Sequence, residues 1–168
     1  ALLGICHSFG LLMRWSGIAR AEPRPPEKGG KSAGVVVNFL TERAKGHPWF
    51  SGLYHASYGH RIQVLDSRLF DLLPTGRNGV EILAHEASED PDTRGEAITM
   101  VELARSPDGQ TPRVWGVNYH PEIGDRGQQR DRIERLWAAG LVTRAWYDER
   151  QRALLAWEAS ESTERRLQ

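Results

Sequence analysis

With 168 residues, 39% of them hydrophobic and 26% charged, the chain can bury one substantial core and has the balance of an ordinary water-soluble domain. Its 22 Lys and Arg residues match 22 Asp and Glu, and a formal charge of zero argues against broad electrostatic capture of nucleic acid. A single cysteine excludes an internal disulfide and suits a reducing, cytoplasmic setting, and no apolar run approaches the roughly 20 residues that cross a bilayer.

In chain order, residues 1–5 read as the end of a buried strand. No charged region precedes them and Arg14 follows soon after, so they do not form a secretory signal. The chain opens on Ala already inside a strand, as the C-terminal portion of a domain would. Residues 7–16 read as a helix with Leu11, Leu12 and Trp15 on its apolar face and Gly17 as its stop. Pro, Gly and charge over 21–32 predict an exposed loop, and the β-branched run over 34–41 predicts a strand. Residues 46–53 read as a turn with a short helical piece. Strands are predicted over 61–65, 81–86 and 97–103, set apart by turn signals at Pro74-Thr75-Gly76, Asn78-Gly79 and 89–95. After a further turn over 106–111, a strand over 113–119 leads to His120. The tail, from about 125 to 168, is helical: Ile133, Leu136 and Trp137 precede Gly140, and Trp146, Leu154 and Trp157 follow on a second helix. One domain over 1–168 is the expected organisation.

Chemistry concentrates at two places. Gly4-Ile5-Cys6-His7-Ser8 has the outline of a nucleophile elbow, in which a reactive side chain sits at a sharp strand-to-helix turn flanked by small residues. The helix that follows would lower the thiol pKa through its dipole, and the His7 backbone N–H is the natural oxyanion donor. Downstream, Val117-Asn118-Tyr119-His120-Pro121-Glu122 puts a histidine at the end of an apolar strand with a carboxylate two residues on. A thiol needs a base to become a thiolate and the base needs an orienting partner, so Cys6, His120 and Glu122 supply one residue for each role. Both segments end predicted core strands at their carboxyl ends, where open α/β sheets carry their sites. His47, His55, His60 and His85 show no metal-ligand spacing, no phosphate-cradling loop is present, and no cofactor is implied.

LGICHSFGLL and WGVNYHPE, in this order, resemble class I glutamine amidotransferase domains, which release ammonia from glutamine with a Cys-His-Glu triad. The middle agrees: residues 34–53 are similar to the family's strand and its following "HPLF-GL"-like segment, Ser67-Arg68 stands where the family has Ser-His before a Leu-Pro, and 81–87 matches the next strand. The resemblance covers about residues 1–125. It implies a flavodoxin-like α/β fold of three layers around a mostly parallel sheet, with Cys6 as nucleophile, His120 as base and Glu122 as orienter. It also implies substrate contacts near His7, Gly10, Ser67 and Arg68, and a synthetase domain or subunit that receives the ammonia. Three departures stand out. Ser8 replaces a glycine, Gly10 replaces the glutamine that contacts substrate, and the strands and Gly-rich loop that precede the family's elbow have no counterpart here. The expected consequences are an unpaired sheet edge and the alternatives of another γ-glutamyl amide as substrate or of an inactive scaffold.

Overall fold

A computed structural model describes residues 1–24, 32–88, 94–123 and 126–167. In chain order its strands and helices are β1 (Leu2–Ile5), α1 (His7–Trp15), β2 (Ala19–Pro23), β3 (Ser32–Leu40), α2 (Glu42–Lys45), α3 (Ser51–Ala56), β4 (Arg61–Arg68), β5 (Phe70–Pro74), β6 (Glu81–Ala87), β7 (Arg94–Arg105), β8 (Pro112–Val117), α4 (Arg126–Ala138) and α5 (Arg144–Leu167). A six-stranded sheet runs β1-β8-β7-β6-β3-β4, and β2 and β5 form a separate ribbon.

The α/β fold expected from the sequence is present, and its sheet is mixed. β1 and β8 are parallel, whereas β8–β7, β7–β6, β6–β3 and β3–β4 are antiparallel. Local connection lengths account for much of the difference from a mostly parallel sheet. β7 joins β8 through the short turn after Arg105, closed by the Ser106 and Thr111 backbones, and a short link cannot carry a parallel crossover.

Layers cover both faces of the sheet. On one, Phe9 and Met13 of α1 pack with Ile18, Ala19, Leu72, Ile98 and Val101. On the other, Ala44 of α2 and Tyr54 of α3 pack with Leu40, Leu83, Met100 and Val117. The fully buried stripe of α1 is therefore Phe9 and Met13, one turn apart; of the Leu11, Leu12 and Trp15 face read from the sequence, Leu12 packs against this core, while Leu11 is half exposed and Trp15 85% exposed. Those two side chains lie with Leu2, Leu3, Gly4, Ser8 and Leu12 around an open groove of about 290 Å³ beside β1. The helix stops as expected: Gly17 has φ +71°, and the N–H groups of Gly17 and Ile18 close onto the carbonyls of Arg14 and Met13.

Two segments differ from their sequence reading. Residues 19–23 form β2, not the beginning of a loop, and 70–74 form β5, because each finds its backbone partners in the other. The remainder of the expected loop, 25–31, lies outside the described residues, as do 89–93 between β6 and β7.

What matters for the site is the reach of the β3–β4 ribbon. β3 pairs with β4 along its whole length, from Ser32 with Arg68 to Phe39 with Arg61, but with β6 over Asn38–Leu40 alone. The ribbon projects past the sheet and its far end returns over the ends of β1 and β8: His120 N–H donates to the Leu65 carbonyl at 2.8 Å. Helices α4 and α5 brace it. Ile133, Trp146 and Leu154 bury Ala33, Val35 and Leu65, which makes Trp146 a packing residue, while Trp137 stacks on Tyr147 at 5.1 Å. Behind it lies a buried ion cluster. Arg68 joins Asp66, Asp71 and Glu86, Arg24 joins Asp71 and Glu86, and all five side chains are nine-tenths or more buried.

Candidate active site

Cys6 stands where β1 turns into α1, with φ 49° and ψ −106°. Positive φ is costly for any residue with a Cβ, and its appearance at the one cysteine is the backbone signature of an elbow. The turn is locked at close range. The Ser8 hydroxyl accepts from Ile5 N–H and donates to the Ile5 carbonyl, both at 2.8 Å, and Cys6 N–H donates to Val117 O at 2.9 Å. A Cβ on Gly116 would stand 2.6 Å from the Gly4 carbonyl oxygen and from Phe9, so β8 can approach the elbow this closely because position 116 has no side chain.

The strain has a measurable consequence. Cys6→Gly should be more stable than Cys6→Ala by about 1–2 kcal/mol, the reverse of the order at an ordinary helix or strand position. Chemical denaturation of the two variants, both without sulfur, checks it; alanine equal to or more stable than glycine would contradict the strained elbow.

β8 brings the second part. It lies parallel to β1 with Ile5 opposite Val117, so Cys6 and His120 leave the same end of adjacent strands. His120 Nδ1 donates to Glu122 Oε1 at 2.7 Å, which leaves Nε2 as the basic nitrogen of the neutral ring. Slight burial works against the Glu122 charge, but the His120 hydrogen bond prevails and holds this carboxyl below its ordinary range. Glu122 is also near enough to Cys6 to disfavour the thiolate electrostatically.

The Cys6 sulfur is half-buried, and its hydrogen-bond acceptor among the described residues is the Ser67 carbonyl of β4, at 3.7 Å. Sequence reasoning expected the helix to lower the thiol pKa, and the structure reverses this. Burial pushes the thiol up, Asp66 adds to it, and the His7 N–H, pulling the other way, does not compensate. His7 bears on the sulfur through its backbone N–H. Ser67 stands beside the sulfur. Arg68 is turned into the ion cluster and reaches Cys6 through its charge alone. Gly10, in the second turn of α1, has open space where a side chain would be.

Asp66 is the site residue that the sequence reading missed. Its Oδ1 accepts from Ser67 N–H at 2.8 Å and its Oδ2 from the Ser32 hydroxyl at 2.5 Å. The available signal was an acid two residues before an Arg, directly after the apolar Val64-Leu65 pair, a spacing that puts both on one face of the strand.

One His-carboxylate group has ligand atoms close together, His47, Glu81 and Glu102, all within 4.8 Å. Arg105 already bridges the two carboxylates, and His47 Nδ1 accepts from Trp49 N–H, which directs its Nε2 proton toward Glu102 at 3.1 Å. These contacts are those of a structural charge network, in which Glu102 Oε1 is buried with no hydrogen-bond partner among the described residues.

No protein-family model and no curated protein matches the chain. Solved structures do. A glutamine amidotransferase from Thermotoga maritima is 14% identical with a TM-score of 0.50 over 90% of this chain and 56% of its own. SMU.1228c is 16% identical (TM-score 0.48, 81% and 45%), and a Thermoplasma acidophilum protein assigned to GMP synthase is 12% identical (0.46, 77% and 53%). The chain spans about half the length of these structures. With the T. maritima enzyme it shares a fold; at such identity, residue roles do not transfer.

Proposed function

We propose that this chain is a glutaminase domain of the glutamine amidotransferase type, working through Cys6, His120 and Glu122. One observation carries the reading: a cysteine at an elbow with positive φ, beside a parallel strand that ends in a hydrogen-bonded His–Glu pair. In the chemistry, His120 Nε2 takes the thiol proton and the sulfur attacks the side-chain carbonyl carbon of glutamine. The oxyanion accepts a hydrogen bond from the His7 backbone N–H. As the C–N bond breaks, the proton held by His120 leaves with ammonia, and a γ-glutamyl thioester remains on Cys6. His120 then deprotonates water, which attacks the thioester, and the thiol is restored as glutamate leaves. Ammonia passes to a synthetase, on the same or another polypeptide.

A second reading, hydrolysis of a different γ-glutamyl amide with no acceptor, draws on Gly10. The open space there would admit a substituent that a glutamine side chain at that position would block.

Release of glutamate and ammonia from glutamine, with Cys6→Ala as control, tests the proposal. Release that vanishes in the control is the expected result. Release from an N-substituted γ-glutamyl amide but not from glutamine would favour the second reading. Absence of both, with the wild-type chain folded and Cys6 accessible to thiol reagents, would overturn the enzyme assignment.

A further inference from the structure

We propose that Asp66 is a positioning residue for Cys6: anchored on the Ser67 N–H, its carboxylate charge keeps the thiol proton on the Ser67 carbonyl, a contact that must open before His120 can take that proton. The inference rests on Cys6 being the nucleophile of the site.

The geometry forms a short chain of contacts. Asp66 Oδ1 holds the Ser67 N–H at 2.8 Å, and the carbonyl of that same residue receives the Cys6 thiol at 3.7 Å. Asp66 cannot drift, because Ser32 binds its Oδ2 at 2.5 Å and Arg68 Nε lies 3.2 Å from the same oxygen. Arg68 is in turn held by Glu86 of β6 and Asp71 of β5, and Arg24 spans both. From α5, Arg150 donates to the Val35 carbonyl at 3.2 Å, on the β3 strand that carries Ser32, and its charge is felt by Glu86. The Asp66–Ser67 corner of β4 is therefore held from β3, β5, β6 and α5.

The charges facing Cys6 agree with a parked thiol. Asp66 of β4 and Glu122 beyond β8 favour the protonated sulfur, while Arg68 and the His7 N–H of α1 favour the thiolate. Burial tips the balance to the thiol. A protonated thiol bound to a carbonyl is a poor nucleophile, so a site with this arrangement is quiet until a bound group displaces the contact or the ribbon shifts. Control of the sulfur thus lies in β4, the strand farthest from β1 in sheet order.

Because Cys6 is the single cysteine, its chemistry can be read without interference. The experiment compares wild type with Asp66→Asn, using iodoacetamide alkylation from pH 6 to 10 and the infrared S–H stretch. In wild type the S–H band should stand at the frequency of a thiol donating to a carbonyl, and alkylation should be slow at pH 7. Asp66→Asn keeps an oxygen for Ser67 N–H but loses the charge. Its alkylation at pH 7 should rise roughly tenfold, one pKa unit, with the whole profile moved to lower pH and unfolding still cooperative. A merely structural role would lower stability and leave the profile in place. A folded variant with the wild-type profile overturns the inference, and so does a wild-type S–H band at the frequency of an unbonded thiol, which decides the matter even if the variant does not fold. A shifted profile in a protein that releases no ammonia would remove the proposed activity and leave the role of Asp66 standing. Ammonia release with an unmoved profile would do the opposite.

Discussion

Arg68→Met is expected to destabilise the fold by about 3–5 kcal/mol, since it removes one partner from a buried ion cluster and leaves the others uncompensated. Arg68 is fully buried and contacts Asp66, Asp71 and Glu86, so three carboxylates lose a shared cation in one step. Burial alone would push the guanidinium toward neutrality; the carboxylates, Asp66 foremost, overcome it and hold it more firmly charged than in water. Arg24 remains, but it already serves Asp71 and Glu86. For a chain of this size the loss corresponds to a fall in Tm on the order of 10 °C.

The pH dependence of the loss has a defined sign. In the wild-type chain Glu86 is held below its ordinary carboxylate range: burial opposes its charge, and Arg68 and then Arg24 outweigh burial. Its contribution to stability is therefore fully present above the unfolded-state pKa of about 4.3 and is lost as pH falls through the lower folded-state value. In Arg68→Met that contribution is diminished or gone, so the gap between variant and wild type should be widest at neutral pH and narrow below about pH 4. Denaturant titrations at pH 7 and pH 4 measure it. Glu86→Gln in the Arg68→Met background should cost much less than Glu86→Gln alone, because the two residues share one interaction. A loss under about 1 kcal/mol at pH 7, or strict additivity of the pair, would show that the cluster is not a unit.

The parts of the site that the sequence disclosed are those whose geometry is local. Gly4, Cys6 and Ser8 are two residues apart, and an apolar strand running into them announces an elbow whatever the rest of the chain does. His120 and Glu122 are equally close, and their hydrogen bond needs only the turn at Pro121. What was not legible depends on distant partners. β2 reads as loop because Ala-Arg-Ala-Glu-Pro has no strand pattern of its own; it becomes a strand by pairing with 70–74, some fifty residues away. The inward face of α1 could not be chosen from periodicity, since Phe9 and Met13 and Leu11, Leu12 and Trp15 make competing stripes, and the packing against Ile98 and Val101 decides it. The state of the thiol was misread for the same reason. A helix N-terminus favours a thiolate, but burial outweighs it, and Asp66, sixty residues on in sequence, adds to the effect once the return of the β3–β4 ribbon brings it alongside.

On the proposed chemistry, His120→Gln should lower kcat by roughly 10²–10⁴, the share that a positioned general base supplies, with little change in stability. The structure explains why the two effects separate. What fixes this turn is the backbone: His120 N–H binds Leu65 O at 2.8 Å, and Asn118 N–H binds Thr99 O at 2.8 Å. Neither bond involves the imidazole, whose partner is the half-exposed Glu122. Glutamine keeps a polar side chain of similar reach but cannot take up a proton. Glu122→Gln should be the milder change, about 10- to 100-fold, since an amide oxygen can still accept from Nδ1 and hold the ring while the charge that supports the imidazolium is lost. Alkylation of Cys6 distinguishes a lost base from a collapsed site: in His120→Gln the sulfur should remain reachable, because its resting contact is with Ser67 and not with His120. Turnover in His120→Gln within threefold of wild type would remove His120 from the mechanism and, with it, the pairing of β1 and β8 as the frame of the site.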